Sequence, residues 1–560
     1  MKKIIVLILS LFVYVHFIFG QSSDIKKIQP LSQEAIKKAY PASIRMWAFD
    51  TIKMQQAGPQ FSAVVVTREG HILTAAHVNT PGQTYMVTFP DGVSCIAVGL
   101  GEIELAETPM MPDVAMMKIK TKGVWPFAEM GWSSAVKVND PVISISYPET
   151  LNQKIPLVRF GNVTNVLNKY GFLQSTCRME PGDSGGPLFD RLGRVIGLHS
   201  AINVDVDYEV PVDLYRKYWN ALHEARTYTV YPPQEVLIEP NLVIDSVAAP
   251  GFPTLNSRSR KFNKTIERFA NHVVSINSSL TDSIQSILGT LVKSGKATYI
   301  VSKSSMTGAD PVALLDNGKR ISLRTIYRDK NTDLVLLQPV SKVSGGIALP
   351  FFVKDTINKE QLGTLLVSAL KPAEDSELSV LGSTNFSLNK VAGMAYLGAA
   401  VAYKSPVAIT VVQPGSPADI AGLKVGDQLV RIDDAAIIKP EDYGNQLMKY
   451  WAGDTIMFDI TREGSLHSNQ ITLASRPERP ATHPADMFAG GKSKRRDGFD
   501  AIFAHGANIK PNQCGGPVFD QNGRFYGINI ARFSRTSTIV VSAQAISAFI
   551  RSALTAIQHP

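Results

Sequence analysis

Two segments of the sequence repeat one glycine-rich loop, and each carries a potential nucleophile, but only the first keeps the residues that could activate it. The first segment reads PGDSGGPLFD over residues 181–190, and the second reads PNQCGGPVFD over residues 511–520. Ser184 is the candidate nucleophile of the first segment, and Cys514 occupies its position in the second. Because a serine hydroxyl is a weak nucleophile until a neighbouring base removes its proton, a working site needs a base from elsewhere in the chain.

Two residues that precede Ser184 can supply that base and its support. His77 follows Thr-Ala-Ala, and Asp113 precedes Val-Ala. In such a triad the histidine takes the serine proton and later gives it to the leaving amine, while the carboxylate fixes the histidine tautomer. Gly182 lacks a Cβ, so its N–H can turn towards a substrate carbonyl and, with the N–H of Ser184, form an oxyanion hole.

The order His, Asp, Ser and these local sequences resemble the trypsin-like serine proteases of the HtrA/Deg type. The resemblance implies a mainly β fold, a trypsin-like double β-barrel with the active site in the cleft between the barrels. The residues agree, because short Val-rich segments bounded by Gly and Pro, such as 61–66, recur as far as Val210 and favour antiparallel barrels. The implied activity is that of a serine endopeptidase, which needs no metal and no other cofactor.

The same resemblance predicts the pocket for the residue that precedes the scissile bond. Cys177, Arg178 and Met179 lie before Ser184 in this pocket. His199 lies beyond Ser184 at a spacing that resembles glutamyl endopeptidases, in which a histidine contacts an acidic side chain. Arg178 and His199 suggest one hypothesis, that the enzyme tolerates or prefers Asp or Glu before the cut. The alternative is that both side chains face solvent and the pocket takes small aliphatic residues.

The second segment belongs to a degenerate copy of the same domain. Ser305 stands where the base is expected, Asp333 is retained, and Asn512 and Gln513 replace the glycine and aspartate of the loop. A serine cannot act as a base at neutral pH, and the Cβ of Asn512 disfavours the oxyanion turn. We predict a trypsin-like double β-barrel without activity of its own, in which Cys514 is a small buried residue.

The interval between the Asp and the loop is longer in the second copy, and the additional residues include YLG at 396–398, PGSPA at 414–418 and AGLKVGD at 421–427. These segments resemble a PDZ domain of HtrA proteases. A PDZ domain adds a peptide strand to a sheet edge and binds its terminal carboxylate on backbone N–H groups. Leu447 lies on the predicted groove helix, residues 441–450. The predicted carboxylate loop consists of Tyr396, Leu397, Gly398 and Ala399. The PDZ domain is therefore predicted to be inserted in the degenerate double barrel.

Length and composition fit a globular chain of several domains. The 560 residues are 44% hydrophobic and 19% charged, and the 3 cysteines are too few for a disulfide framework. The net charge of +9 is spread along the chain, and the basic clusters 258–264 and 492–496 indicate solvated linkers, not a nucleic-acid partner. The predicted boundaries are a signal peptide at 1–20, an active protease domain at 40–225, a linker at 226–261, the degenerate domain at 262–394 and 485–555, and the PDZ domain at 395–478.

The N-terminal residues indicate export. Lys2 and Lys3 precede an apolar run that ends at Gly20, which is typical of a secretory signal peptide cleaved near Gly20 and Gln21. The alternative is an uncleaved membrane anchor. HtrA relatives are commonly trimers through an N-terminal segment, so the resemblance implies a homo-oligomer, with Ile25, Ile28, Leu31, Ile36 and Tyr40 as the apolar residues of that segment. A packing helix is the other interpretation of residues 25–45.

We predict a periplasmic or secreted HtrA-like endopeptidase whose partners are unfolded proteins or proteins that present a C-terminal tail. Two alternatives remain open at this stage. One is a binding scaffold in which the first domain is latent. The other is a processing protease dedicated to one substrate.

Overall fold

The computed structural model describes residues 29–30, 32–107, 111–151, 154–236, 269–280, 283–348, 357–371, 376–477 and 480–558. The described residues form two compact units. The larger unit lies within Met1–Phe386, Thr482–Gly491 and Ala501–Pro560, and the smaller lies within Ser387–Ala481 and Lys492–Asp500.

The larger unit begins with a closed barrel, which closes because its fifth strand pairs with both the fourth and the sixth. Apolar residues such as Ile44, Phe61 and Val87 fill its interior. Its strands are Ser43–Asp50, Gln55–Val65, His71–Thr74, Thr84–Thr88, Ser94–Glu104 and Pro112–Ile119. The strand Thr227–Tyr228 pairs in parallel with Ser94–Glu104, so the chain is still attached to this barrel within the predicted linker.

A second barrel follows directly, closed by a bridge between Leu173 and Glu209. Its strands are Pro141–Ser146, Leu157–Asn165, Gln174–Ser175, Pro187–Phe189, Val195–Ala201 and Tyr208–Pro211. The helices Val212–Lys217 and Trp219–Leu222 return the chain to the first barrel. The 3₁₀ turns of this copy are Tyr40–Ala42, Ala76–Val78, Ser133–Ala135 and Glu149–Leu151.

The third barrel repeats the pairing of the first. Its first strand pairs with both the second and the fourth, which closes the sheet. The strands are Val273–Leu280, Ser283–Ser294, Ala297–Lys303, Ala309–Leu314, Arg320–Asp329 and Leu334–Pro339, with Ile347–Ala348 added in parallel and a 3₁₀ turn at Ser304–Met306.

The fourth barrel repeats the strand order of the second, and the small unit is inserted between its second and third strands. A bridge between Leu381 and His505 closes it. Its strands are Leu365–Ser368, Glu377–Val380, Phe499–His505, Pro517–Asp520, Phe525–Arg532 and Thr538–Ser542, with 3₁₀ turns Lys359–Gln361, Pro484–Asp486 and Pro511–Gln513 and the helix Ala543–Gln558. The predicted fold class, mainly β with two double barrels, is confirmed.

The smaller unit combines helices and short strands, as expected of a PDZ domain, around a core that includes Leu397, Ile432 and Phe458. Its helices are Pro417–Ile420 and Pro440–Leu447. Its strands are Ala395–Tyr396, Ala399–Val401, Ile409–Val412, Gln428–Ile432, Ala435–Ala436, Thr455–Arg462, Ser465–Thr472 and Ala474–Ser475, and Phe386–Leu388 leads into it. The groove helix is shorter than the predicted segment 441–450.

The N-terminal segment packs against both copies of the double barrel. Residues 29–30 and 32–39 are helical. Ile36 is buried in the core that also contains Leu362 of the second copy, and Gln33 Nε2 donates to the Thr364 hydroxyl at 3.3 Å. This contact agrees with the packing-helix interpretation, whereas Ile25, Ile28 and Leu31 lie outside the described residues. Among the described residues no helix has the length and apolarity that a membrane span requires.

Candidate active site

Strand pairing brings His77 and Asp113 together. Thr74 lies opposite Ala115, and the 3₁₀ turn Ala76–Val78 follows Thr74 immediately. The Nδ1 atom of His77 lies 3.0 Å from both carboxylate oxygens of Asp113, and the backbone N–H of His77 donates to one of them at 3.0 Å. The Asp113 side chain is fully buried, while that of His77 is 27% exposed. The carboxylate therefore orients both the ring and the backbone of His77.

This pairing sets the basicity of His77. Burial alone lowers the pKa of His77, but the hydrogen bond and the charge of Asp113 outweigh it, so the pKa lies above its ordinary value. The hydroxyl of Ser200 donates a short hydrogen bond to the second carboxylate oxygen of Asp113. Sequence reasoning did not connect Ser200 to Asp113, from which it is 87 positions distant.

A buried ion pair between Arg159 and Asp183 anchors the turn before Ser184. Both carboxylate oxygens of Asp183 accept hydrogen bonds from Arg159, at 2.6 and 2.8 Å. Gly182 has φ 96°, in the left-handed region that a residue with a Cβ rarely adopts. Within the described part of the chain, the amides of Gly182 and Ser184 donate no hydrogen bond. Two neighbouring N–H groups are thus available to an oxyanion.

The predicted pocket residues lie around this turn, mostly buried. Cys177 and Met179 are buried, and Arg178 is half-buried with a guanidinium N–H directed to the Val204 carbonyl at 3.5 Å. His199 is fully buried; its Nε2 lies 2.7 Å from the Ser144 hydroxyl and its Nδ1 lies 3.9 Å from a carboxyl oxygen of Glu209. Burial lowers the pKa of His199 to about 3, so this ring is uncharged.

The degenerate site has the same frame with different side chains. Asp333 has φ 58° where Asp113 has φ 60°, and it accepts hydrogen bonds from the N–H and hydroxyl of Ser305 at 2.7 and 2.8 Å. A buried lysine, Lys303, forms an ion pair with Asp333 at 2.6 Å. No base occupies the histidine position, and this arrangement is structural.

The nucleophile loop of the degenerate site is also rebuilt. Pro511–Gln513 forms a 3₁₀ turn, and Asn512 does not adopt the left-handed conformation of Gly182. Cys514 is fully buried, and its Sγ lies 3.9 Å from the Lys510 carbonyl. The oxyanion turn is therefore absent from this described loop. Gly515 nevertheless keeps the contact of Gly185, because Gly185 donates to the His199 carbonyl and Gly515 to the Asn529 carbonyl, each at 2.7 Å.

In the PDZ unit, the predicted carboxylate loop joins two strands. Tyr396 ends the first strand and Ala399 begins the second, while Leu397 between them is buried in the core. Gly398 has φ 84°, and a Cβ there would lie 2.1 Å from that of Ser416, so only glycine fits. The amides of Leu397 and Gly398 donate no hydrogen bond to any described residue, as a carboxylate-binding loop requires.

The groove helix contributes a residue that the sequence did not single out. Leu447 lies at its end, partly buried against the core. One turn earlier, the hydroxyl of Tyr443 donates to the Ala399 carbonyl at 2.6 Å. The carbonyls of the neighbouring residues Gly398 and Ala400 accept hydrogen bonds from the adjacent strand segment. The Ala399 carbonyl between them therefore faces the other edge, where a peptide strand would pair.

The basic cluster 492–496 is more than a solvated linker. It belongs to the small unit, although it was predicted with the degenerate domain. The Arg495 guanidinium stacks on Trp451 at 3.7 Å, and Asp497 accepts the amides of Ala392 and Gly393 at 2.6 and 2.9 Å. A cation–π contact and paired amides, neither of which is local in sequence, hold this segment in place. The other cluster, 258–264, lies outside the described residues.

Comparisons with known proteins agree with this architecture. Residues 61–198 match the model of the trypsin-like peptidase domain, and residues 394–473 match that of the PDZ domain. The chain is 28% identical to the Synechocystis sp. protein named as serine protease HhoA, over 35% of this chain and 50% of the relative. It is 26% identical to a Pseudomonas putida protein named a DegP-like probable periplasmic serine endoprotease, over 35% and 41%, and 25% identical to serine protease HTRA1 of Xenopus laevis, over 35% and 43%. The chain thus spans half or less of each relative, and its similarity to HtrA and DegP proteases is confirmed.

Proposed function

We propose that the chain is an exported serine endopeptidase of the HtrA type, with His77, Asp113 and Ser184 as its catalytic triad. The observation that carries the proposal is the buried carboxylate of Asp113 on Nδ1 of His77, together with a turn whose amides at Gly182 and Ser184 donate no hydrogen bond to any described residue. Both features serve acyl transfer, since one activates a hydroxyl and the other stabilises the negative charge that its attack creates.

The reaction follows from these groups. The Ser184 oxygen bonds to the substrate carbonyl carbon as the hydroxyl proton passes to His77. The carbonyl oxygen becomes an oxyanion that accepts hydrogen bonds from the N–H groups of Gly182 and Ser184. The C–N bond then breaks as His77 returns the proton to the leaving amine. A water molecule repeats the sequence on the acyl-enzyme and releases the acid.

The substrate class follows from the PDZ unit. The amides of Leu397 and Gly398 donate to no described residue and lie next to a sheet edge that no described strand pairs with, which supports binding of a C-terminal peptide. Substrates are accordingly unfolded proteins or proteins that present a tail. The periplasmic name of the Pseudomonas relative supports export, although the predicted signal peptide, 1–20, lies outside the described residues. A homo-oligomer of the HtrA kind remains part of the proposal.

Proteolysis of casein by purified residues 21–560 tests the assignment. Wild type, Ser184→Ala and Cys514→Ala are compared, with cleavage sites mapped by mass spectrometry. Activity lost in Ser184→Ala and retained in Cys514→Ala is the expected result, because only the first copy has a histidine in the position of the base. Equal activity in wild type and Ser184→Ala would contradict the triad. An inactive wild type, folded and supplied with C-terminal peptides, would contradict the endopeptidase assignment and favour the binding scaffold.

A further inference from the structure

Equivalent segments of the two double barrels meet each other in the larger unit. The loop between the last two strands of the second barrel contains residues 203–207, and the turn between the last two strands of the fourth barrel is residues 533–537. We name them the pocket loop and the clamp turn. Arg535 of the clamp turn donates to the Asn203 carbonyl of the pocket loop at 3.0 Å.

A second contact between equivalent segments supports this symmetry. The N–H of Val158, on the strand Leu157–Asn165, donates at 2.8 Å to Gly382, which follows the equivalent strand Glu377–Val380. The copies therefore contact each other like the subunits of a pseudo-twofold dimer, in which the same surface serves on both sides. One side of this contact is catalytic and the other is not, so the clamp turn can be specialised for support.

The first target of the clamp turn is Glu180, the residue before Pro181 and the oxyanion turn. The Glu180 carboxylate is buried, and one of its oxygens accepts the hydroxyl of Ser534 at 2.9 Å and a short hydrogen bond from Thr536. The other oxygen accepts the hydroxyl of Thr150, in the first copy, at 2.9 Å. Burial raises the pKa of Glu180 and the hydrogen bond from Thr536 opposes this rise. The second copy thus contributes two of three hydroxyl donors to this carboxylate.

Glu180 is in turn bonded to the nucleophile turn. Its N–H donates to a carboxylate oxygen of Asp183 at 2.9 Å, and its carbonyl accepts the N–H of Asp183 at 3.0 Å. Asp183 immediately precedes Ser184. A shift of the Glu180 side chain would therefore move the backbone on which the nucleophile and both oxyanion donors stand.

The second target is Asp207, at the end of the pocket loop. Its buried carboxylate accepts the N–H of Met179 at 2.7 Å and that of Asn203 at 3.0 Å. Arg535 lies 3.4 Å from the same carboxylate, and its side chain is 2% exposed. The Asp207 carboxylate thus joins the pocket loop to the predicted pocket residue Met179, and Arg535 of the clamp turn compensates its negative charge.

We propose that the clamp turn of the degenerate copy positions the oxyanion turn and the pocket loop of the catalytic copy. This proposal rests on the proposed function above and assigns the second copy a specific part in it. Ser534 and Thr536 are positioning residues that act through Glu180, and Arg535 acts through Asp207. A buried carboxylate deprived of its donors must move or take up a proton, and either change displaces the turn it anchors.

The experiment compares the full chain with Ser534→Ala/Thr536→Ala and with the conservative variant Thr536→Ser. Ser302→Ala is the matched control, because this buried hydroxyl of the same copy donates only within its own barrel, at 2.7 Å to the Leu288 carbonyl. The readouts are kcat and KM on a fluorogenic peptide, normalised to active sites titrated with a serine-directed phosphonate. Hydrogen–deuterium exchange of residues 180–186 and 203–209 is measured in the same samples.

We expect kcat of the double variant to fall about 10- to 100-fold, less than on loss of an oxyanion donor, because the turn is displaced but keeps both N–H groups. Exchange at 180–186 should rise at the same time. The kcat of Thr536→Ser and that of Ser302→Ala should stay within about threefold of wild type. If the double variant acted by destabilising the second copy in general, Ser302→Ala would lower kcat as well. Arg535→Met provides an independent variant if the double variant does not fold; it should raise KM and the exchange of 203–209, and Arg535→Lys should restore part of both.

Unchanged kcat and unchanged exchange in folded clamp variants would overturn the proposal. Equal losses in Ser302→Ala would overturn it as well, because the effect would then be one of stability alone. If the wild type shows no Ser184-dependent cleavage, the proposed function fails, whereas a rise in exchange confined to the clamp variants would still support the positioning contact.

Discussion

Gly182→Ala tests whether the oxyanion turn depends on the one conformation that the structure gives it. A Cβ at this position would lie 2.4 Å from the Glu149 nitrogen and 2.6 Å from the Tyr147 oxygen. Both are backbone atoms, so in a close-packed site the turn itself must move, by roughly 1 Å. The left-handed φ adds about 1–2 kcal/mol of strain for a residue that has a Cβ. Loss of one oxyanion donor lowers kcat by about 100- to 1000-fold, which is the expected effect.

Gly171→Ala is the matched control. Gly171 has φ 87°, close to the 96° of Gly182, but a Cβ there would meet nothing within 4 Å. Both variants therefore carry the conformational strain, and only Gly182→Ala carries the clash. Thermal unfolding should shift to lower temperature in both variants, and further in Gly182→Ala because of the clash. The kcat on a fluorogenic peptide should fall only in Gly182→Ala. A folded Gly182→Ala enzyme with more than about a third of the wild-type kcat would refute the assignment of this turn.

Three further predictions follow from the described side chains. The kcat/KM should rise with pH through the pKa of His77, because the base must be unprotonated. Asp113→Asn should move this rise to lower pH, since Asp113 raises the pKa of His77, and should lower the plateau by about 10,000-fold. A pH–rate profile in which the rise stays in place would contradict the pairing. The mapped casein sites should show no enrichment of Asp or Glu before the cut, because His199 is buried and uncharged; acidic enrichment would restore the glutamyl-endopeptidase interpretation. Tyr443→Phe should strengthen binding of a hydrophobic C-terminal peptide by about 2- to 10-fold in fluorescence anisotropy, since it frees the Ala399 carbonyl; Tyr403→Phe, at a side chain 94% exposed, is the control, and unchanged affinity in both variants would show that the Tyr443 contact does not compete with the peptide.

The parts of the molecule that sequence could predict are those encoded by short segments. Val-rich strands, Gly and Pro turns and the loop around Ser184 are local patterns, and together with the resemblance to HtrA proteases they predicted the fold class and the inserted PDZ domain. The contacts that were missed join residues far apart in the chain: Ser200 to Asp113 across 87 positions and Thr536 to Glu180 across 356. No periodicity encodes such pairs, because they depend on how completed barrels pack against each other.

The degenerate copy separates the residues that the fold needs from those that catalysis needs. Asp333 keeps the left-handed backbone of Asp113 and, like it, accepts the N–H of the residue in the histidine position. This hydrogen bond closes the turn after the third strand in both copies, so the carboxylate has a structural role that persists without the histidine. His199 and Asn529 are equivalent, because each carbonyl accepts the N–H of the glycine that follows the nucleophile position. The next residue in each strand is Ser200 in the first copy and Ile530 in the second.

An isoleucine at 530 cannot donate to Asp333, and Lys303 supplies the compensating charge in its place. A carboxylate needed only for folding can be paired with any donor, whereas one that supports a base must leave the histidine free to exchange protons. The Ser200 hydroxyl satisfies this second requirement, because it stabilises Asp113 without adding a charge that would lower the pKa of His77. Under the proposed function, Ser200 therefore belongs with the groups that support the base and that the second copy has lost, and Asp113 serves both the fold and the chemistry.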